Sequence, residues 1–315
     1  MVAGSMVGLK PDMLASAERE KRYAALNSVV AAAFLTGLKA VVGLWSGSLG
    51  ILAEAAHSGL DFVAALVTYI AVRSASHPAD HEHPYGHGKI ENLSALAETG
   101  LLLLTCGWII REAVERLTTK PVQVEASIWA FGVLVISIVV DVTRSRMLSR
   151  AAAKHRSQAL EADALHFRTD VWSSAVVIVG LLGVKVAAAV PSLGWLLKAD
   201  AVAALAVAVI VVVVSVRLGA RTVRALLDTA PAGMAEQVQA SVTAVEGVHD
   251  CHAIRVRQSG PCYFVDLHVL LDGGQTLESA HDLTERIEEA VQKVLPDADV
   301  TVHPEPKPTD PDLSR

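Results

Sequence analysis

Cysteine, aromatic side chains and charge are all scarce in this chain of 315 residues. Its three cysteines are Cys106, Cys251 and Cys262, and no two of them form a C-x-x-C motif, so the sequence predicts no disulfide framework. An H-E-x-x-H motif is also absent, which argues against a zinc hydrolase. The net charge of −6 comes without a basic stripe, and this excludes nucleic acid as a partner.

Apolar residues, by contrast, are abundant. They make up 52% of the sequence, only 19% of the residues are charged, and the mean hydropathy is +0.42, which is too apolar for one soluble domain. A helix that spans a bilayer needs about 20 apolar residues. Six windows approach that length: Leu26 to Trp45, Ile51 to Val72, Leu93 to Trp108, Ile128 to Val142, Val171 to Val190 and Ala201 to Val216. We therefore expect a polytopic α-helical membrane protein, with six transmembrane helices across residues 23–226.

The basic residues near the span ends predict the orientation in the bilayer. They cluster before the first window, between the fourth and fifth, and after the sixth, while the opposite loops hold few. By the positive-inside rule both termini are cytoplasmic. Residues 1–22 are then a cytoplasmic segment, and their polar start lacks the features of a cleavable signal peptide.

The sequence changes from apolar runs to a mixed, charged pattern after Arg224, and Pro231 and Gly233 mark the junction. We expect residues 227–306 to form a cytoplasmic domain, followed by a flexible tail at 307–315. Its predicted elements are a helix at Ala235 to Val245, strands at Ala253 to Gln258 and Tyr263 to Leu271, a helix at Leu277 to Val294, and a strand at Asp299 to His303. This αββαβ order predicts a small α+β domain resembling ferredoxin-like metallochaperone modules, and dimerisation would cover its exposed apolar surface.

One motif occurs twice inside the apolar windows. His57 with Asp61, and His166 with Asp170, are each spaced by four residues, so both side chains of a pair project from one face of a helix. Two such helices side by side would offer two imidazoles and two carboxylates to one point, a ligand set that suits tetrahedral Zn²⁺. The alternative is that these buried polar groups only satisfy one another across helices. Ionisable groups are rare in spans, so we favour a metal site.

Four other ionisable residues in the first four apolar windows have no partner at matched spacing. We expect them to pair between helices or to reach the membrane interface, and not to bind metal. They are Lys39, Glu54, Glu98 and Asp141.

Four sequence motifs in order carry a family resemblance: H-S-G-L-D at 57–61, D-H-E-H-P-Y-G-H-G-K at 80–89, H-F-R-T-D at 166–170 and R-Q-S-G-P at 257–261. With these the chain resembles the cation diffusion facilitator family, in particular its bacterial zinc and iron efflux pumps, from about Tyr23 to Glu305. The resemblance implies a homodimeric antiporter of divalent cations and protons in the bacterial inner membrane. Zn²⁺ is the expected cation, with Cd²⁺, Co²⁺, Ni²⁺ and Fe²⁺ as alternatives. Relatives that also move iron carry Asp where this chain has His57, and this difference favours zinc.

The resemblance also assigns residues to sites. His57, Asp61, His166 and Asp170 would form the transport site, with His57 and His166 as proton carriers. Asp80, His83 and His87 would bind metal in a cytoplasmic loop, where Pro84 and Gly86 predict a tight turn; the alternative is a solvated, histidine-rich loop. The cytoplasmic domain would bind two regulatory metals through His252, His268, His281, His303 and Glu305, the last replacing the usual aspartate. Lys89 and Asp228 match a charge interlock between the two domains.

Two alternative interpretations are also compatible with the sequence. The chain is alternatively a metal sensor or the scaffold subunit of a heterodimer, which binds metal without transporting it. Cys251 lies between His249 and His252 and is a possible extra ligand, although a free thiol is the preferred reading.

Overall fold

A computed structural model describes residues 11–118, 128–189, 196–296 and 298–307. These residues belong to two compact units: residues 17–223, and a second unit that contains the chain from Arg224 onward. The tail predicted for 307–315 lies outside the described residues except for Lys307.

The first unit consists of long helices in its described part. They are α1 (Pro11–Ser46), α2 (Leu49–Ala75), α3 (Lys89–Thr118), α4 (Ile128–His155), α5 (Gln158–Ala189) and α6 (Leu196–Leu226). Apart from Val190, which lies outside the described residues, each of the six apolar windows falls within one of these helices. Four of the helices contain a stretch that is apolar enough to cross a membrane, namely Ser16–Ser46, Glu54–Ala75, Lys89–Glu115 and Val202–Leu226.

Helices α4 and α5 are 28 and 32 residues long, so their length also suffices for a span. Several of their polar residues point inward: Arg144, Asp163 and His166 are each at most 3% exposed. A buried polar side chain in such a bundle faces other helices and not lipid.

Local sequence sets the helix ends and the closest packing. Ser48 caps α2, its Oγ accepting the N–H of Ile51 at 3.4 Å, and Ser157 accepts the N–H of Leu160 at the start of α5. Gly43 lets α1 approach α2, because a Cβ atom at this position would come within 2.9 Å of the Leu52 side chain. These features place the motif-bearing helices α2 and α5 in one bundle with α1, α3 and α4.

The second unit is a small α+β domain with elements in the predicted order αββαβ. They are α7 (Met234–Thr243), β1 (Asp250–Ser259), β2 (Cys262–Leu271), α8 (Leu277–Val294) and β3 (Ala298–Pro306). Strand β2 is central, antiparallel to β1 and parallel to β3, with α8 as the crossover. The predicted turn at 259–261 joins β1 to β2, where Gly260 has φ +58°.

The core of this domain lies between one face of the sheet and the two helices. Strand β2 alternates buried and half-buried residues, and Val265, Leu267 and Val269 pack with Leu283 and Ile287 of α8. The alternation leaves His268 on the other face of the sheet, together with the even-numbered residues of β2.

Candidate metal centres

Three of the four motif residues meet inside the helical bundle. The Nε2 atom of His166 on α5 lies 3.1 Å from Oδ1 of Asp61 on α2 and 3.7 Å from Oδ2 of Asp170, one turn further along α5. His166 is 3% exposed and the carboxylates are nearly buried. Ligands around a tetrahedral zinc with bonds of about 2.0 Å are about 3.3 Å apart, so these separations suit one small cation.

His57 is outside this group of three but borders the same space. Its side chain lines a cavity of about 210 Å³ together with Asp61 and Asp170. The helical spacing of four therefore places His57 on the same side of α2 as Asp61. Of these two α2 residues, Asp61 is the one that contacts His166 directly.

Two residues outside the sequence motifs lie beside the group. Asp163 is 1% exposed and accepts a hydrogen bond from the Ser28 hydroxyl at 3.0 Å. Arg144 donates to the same hydroxyl at 3.1 Å, and its guanidinium lies 3.5 Å from the ring centre of Phe167, the neighbour of His166. A signal for Asp163 existed, because it lies three residues before His166 and therefore on the same helix face.

Lys39, Glu54 and Glu98 make polar contacts between helices, as expected, whereas Asp141 pairs within its own helix. Lys39 donates to Glu54 at 3.1 Å and to the Ser58 hydroxyl at 2.8 Å, which joins α1 to α2. Glu98 of α3 accepts a hydrogen bond from Thr68 of α2. Asp141 pairs with Arg144 on its own helix at 3.3 Å and also lines the cavity next to His57.

A buried polar joint ties three helices together at one end of the bundle. Lys21 of α1 donates to Glu91 of α3 at 2.9 Å, and the Ser157 hydroxyl at the start of α5 donates to the other oxygen of Glu91. Lys21 and Glu91 are 2% and 0% exposed. Lys21 contacts Glu18 as well, at 2.6 Å.

The loop between α2 and α3 holds a second group of possible ligands. Asp80 lies 3.4 Å from Nδ1 of His83 and 3.5 Å from Nε2 of His87, and the two imidazole rings are 4.3 Å apart. The predicted tight turn is present, with Gly86 at φ +76° and its N–H bonded to the His83 carbonyl. Backbone N–H donors, chiefly that of His83, lower the pKa of Asp80, so its carboxylate stays charged and can accept a cation.

The third group lies on the open face of the sheet. His252, His268 and His303 stand in one row across the three strands, because His268 is in register with both of the others. Glu305 lies 2.7 Å from Nδ1 of His268, 3.3 Å from Nε2 of His252 and 3.8 Å from Nε2 of His303. The hydrogen bond with His268 is the main cause that lowers the pKa of Glu305.

A bulge in β1 follows directly after His252, the member of this row on that strand. The register shifts between His252 and Arg255, and Ala253 has φ +50°, a conformation that non-glycine residues rarely adopt. His281 is elsewhere: it lies exposed on α8, where its Nε2 is 3.6 Å from Glu285. Within the described part of this chain, His281 therefore does not join the three-strand row.

The remaining predicted residues of the second unit do not join the row either. Cys251 is a fully buried free thiol in the core, on the opposite side of the sheet from His252, and burial raises its pKa to about 11. This environment matches the free-thiol reading. His249 contacts Asp272 at 2.8 Å. Lys89 begins α3 in the first unit, and Asp228 follows α6 in the second with φ +55°.

Comparisons with known proteins agree with this division of the chain. Residues 25–227 match the family model described as cation efflux transmembrane domain, and residues 231–307 match that of the cation efflux protein cytoplasmic domain. Proteins described as cation-efflux pump FieF are similar over most of their length. The one from Cronobacter sakazakii is 32% identical over 286 residues and that from Serratia proteamaculans 33% over 294, each covering 90% of this chain and 92% of the relative.

Solved structures similar to part of the chain are those of a putative zinc transporter, CzrB, in its zinc form, and of the metal-bound C-terminal domain of the CzcD transporter from Thermotoga maritima. The first is 26% identical and covers 26% of this chain and 93% of its own, with a TM-score of 0.24. The second is 32% identical and covers 24% and 92%, with a TM-score of 0.23.

Proposed function

The chain belongs to the cation efflux family, whose members are transporters and not enzymes, and we propose that it exports Zn²⁺ from the cytoplasm in exchange for protons. The observation that carries the proposal is the meeting of Asp61, His166 and Asp170 inside the helical bundle. Ionisable groups are costly within a membrane, and two carboxylates around one imidazole compensate a divalent cation.

The donor chemistry favours zinc as the substrate. Imidazole nitrogen with carboxylate oxygen suits Zn²⁺, whereas Mg²⁺ and Ca²⁺ prefer oxygen alone. His57 supplies the fourth ligand from the same cavity, which completes two imidazoles and two carboxylates. Cd²⁺, Co²⁺, Ni²⁺ and Fe²⁺ are alternative substrates, because selectivity among them depends on geometry more than on the ligand set.

Proton exchange follows from competition at histidine. A metal ion and a proton bind the same imidazole lone pair, so His57 and His166 are the proton carriers. The bundle alternates between an arrangement open to the cytoplasm, which loads zinc, and one open to the outside, where protons displace it. A more acidic outer compartment thus drives export.

The cytoplasmic groups have a regulatory role in this proposal. The protein is a homodimer in the bacterial inner membrane with both termini in the cytoplasm. Zinc on His252, His268, His303 and Glu305, together with His281, stabilises the dimer when cytoplasmic zinc is high. Asp80, His83 and His87 bind zinc near the cytoplasmic entrance, and Lys89 with Asp228 forms a charge interlock between the two domains.

Zinc flux into proteoliposomes under an imposed pH gradient tests the transport proposal. Wild type should carry zinc in proportion to the gradient, and Asp170→Ala should reduce the flux to that of empty vesicles, because it removes one of the two carboxylates. Glu278→Ala is the matched control, since it removes an exposed carboxylate at the start of α8. Dissipating the gradient with an uncoupler separates proton exchange from passive flux.

Each alternative gives a different result in the same experiment. A folded wild type that binds zinc without any flux would identify a sensor or scaffold subunit. Flux that survives in Asp170→Ala would move the transport site away from this group. Flux that is independent of the gradient would retain zinc transport but remove proton exchange.

A further inference from the structure

Two cavities on the surface of the helical unit adjoin at Arg168 of α5. One, of about 620 Å³, lies between α4, α5 and α6 and is lined by Arg168, Arg217 and Arg221. The other, of about 460 Å³, lies between α4 and α5 and is lined by Arg146, Arg150 and again Arg168. Ser149 also lines both cavities, so they form one continuous depression, called here the basic groove.

The charge of the basic groove is largely uncompensated. Glu161 is the one acidic residue among its lining residues, and it pairs with Arg221. The other four arginines form no ion pair with any residue that the structure describes, and all are exposed. Arg144, on the same helix as Arg146, is by contrast buried and paired with Asp141. The groove therefore presents about four positive charges outward.

The walls of the groove are apolar. Ala152 of α4, Ala164 and Leu165 of α5 and Leu218 of α6 are buried and line it, together with Val142, Val171 and Val214. The guanidinium of Arg168 lies 5.6 Å from the ring centre of Trp172, one turn along α5. Exposed arginines next to apolar walls are complementary to a phospholipid. Guanidinium groups bind the phosphate bidentately, and acyl chains cover apolar helix surfaces.

The groove lies toward the cytoplasmic end in the predicted orientation. It is formed by the second half of α4, the first half of α5 and the last turns of α6, so it shares one end of the bundle with the joint of Lys21, Glu91 and Ser157. Anionic lipids are present in the cytoplasmic leaflet, and basic pockets between helices on that side bind their head groups. A soluble anion would use the arginines but would leave the apolar walls uncovered.

We propose that the basic groove binds one anionic glycerophospholipid, with its phosphate on Arg150, Arg168 and Arg217 and its acyl chains along α4, α5 and α6. The site is separate from the metal ligands and does not depend on the transport proposal. Arg168 lies between His166 and Asp170 in the sequence, so the bound lipid would contact the outer face of the helix that carries two of the ligands.

Native mass spectrometry of the delipidated full-length protein in detergent tests this site. The protein is titrated with phosphatidylglycerol and with phosphatidylcholine of identical acyl chains. Wild type should bind phosphatidylglycerol more tightly than phosphatidylcholine. In a variant with Arg150→Gln, Arg168→Gln and Arg217→Gln the ratio of the two affinities should fall by roughly a hundredfold. The matched control carries Arg19→Gln, Arg22→Gln and Arg73→Gln, three exposed arginines that line neither cavity, and should bind as wild type does.

Three results would overturn the proposal. They are equal binding of the two lipids by wild type, an equal loss in the control variant, and displacement of the lipid by inorganic phosphate at millimolar concentration, which would make the groove a site for free phosphate. Size-exclusion chromatography checks that each variant is folded. Should the triple variant misfold, Arg168→Gln against Arg168→Lys gives the answer, because the lysine keeps the charge and should retain most of the preference.

Discussion

The Nε2 atom of His166 lies 3.1 Å from the carboxylate of Asp61, although the two residues are 105 positions apart in the chain. This contact joins α2 to α5 inside the bundle. It also places two carboxylates next to one imidazole, since Asp170 lies 3.7 Å from the same nitrogen. The metal site proposed here is therefore shared between two helices, and its affinity depends on how those helices lie against each other.

This sharing predicts strongly non-additive effects of mutation. Asp61→Asn and His166→Gln should each weaken zinc binding at the membrane site by at least about a hundredfold, and the double variant should be little worse than either single one. The measurement is a zinc titration of the purified full-length protein with the other two groups disabled by Asp80→Ala and Glu305→Ala. Additive losses would mean that the two residues bind separate ions.

Glu305 predicts a concerted loss of binding in the cytoplasmic domain. Because it is the common neighbour of His252, His268 and His303, Glu305→Ala should remove zinc binding at the row, while Glu305→Asp should retain most of it. Glu289→Ala, which removes an exposed carboxylate of α8, is the control for a charge change outside the row. The readout is the number of zinc ions bound per protomer in the Asp170→Ala background. An unchanged number in Glu305→Ala would contradict the assignment.

Zinc binding at the row should weaken in mild acid because of its histidines. The lowered pKa of Glu305 keeps its carboxylate charged until the pH falls below the usual range of glutamate, so the contribution of this carboxylate is present at neutral pH and lost only in stronger acid. A proton competes with zinc for the lone pair of each imidazole, so each histidine ligand that must lose a proton should cost up to about tenfold in affinity per pH unit in acid. Titrations between about pH 7.5 and 5.5 would measure this slope, and a flat profile would exclude histidine ligands.

The buried joint at Glu91 predicts a large effect on stability. Glu91→Ala leaves the buried ammonium of Lys21 with only Glu18 of its own helix as a partner and should reduce the free energy of unfolding by about 1–3 kcal/mol. Glu161→Ala breaks an exposed ion pair with Arg221 and should cost at most about 1 kcal/mol. Denaturation of the two variants in detergent compares them directly. Equal losses would mean that Glu91 is better solvated than its burial indicates.

Several features of the fold were predictable because they follow from short-range patterns. The apolar windows predict helices, and the alternation along β2 predicts which face of the sheet carries His268. The helix α8 has the predicted bounds, Leu277 to Val294, because Thr276 is a good capping residue before an amphipathic run. The family resemblance noted from four sequence motifs is confirmed by the matches to both parts of the chain.

The internal arrangement of the candidate site was less predictable. A spacing of four places His57 and Asp61 on one side of α2, but it does not determine which of them touches α5, since this depends on the rotation and depth of the helix. From the sequence, Arg144 is only one of the basic residues between the fourth and fifth windows, although it is buried against Phe167. Its position results from packing between α4 and α5, and no local pattern in α4 distinguishes it from the exposed Arg146.

The joint of Lys21, Glu91 and Ser157 has a consequence for motion. These three residues fasten the same ends of α1, α3 and α5, and separating them would break the buried ion pair between Lys21 and Glu91. In the proposed transport cycle we therefore expect this end to act as a pivot while the opposite ends of the helices splay. His166 lies nine residues beyond Ser157 on α5, about 14 Å along the axis, so a small rotation at the pivot displaces the ligand several times less than the far end of the helix.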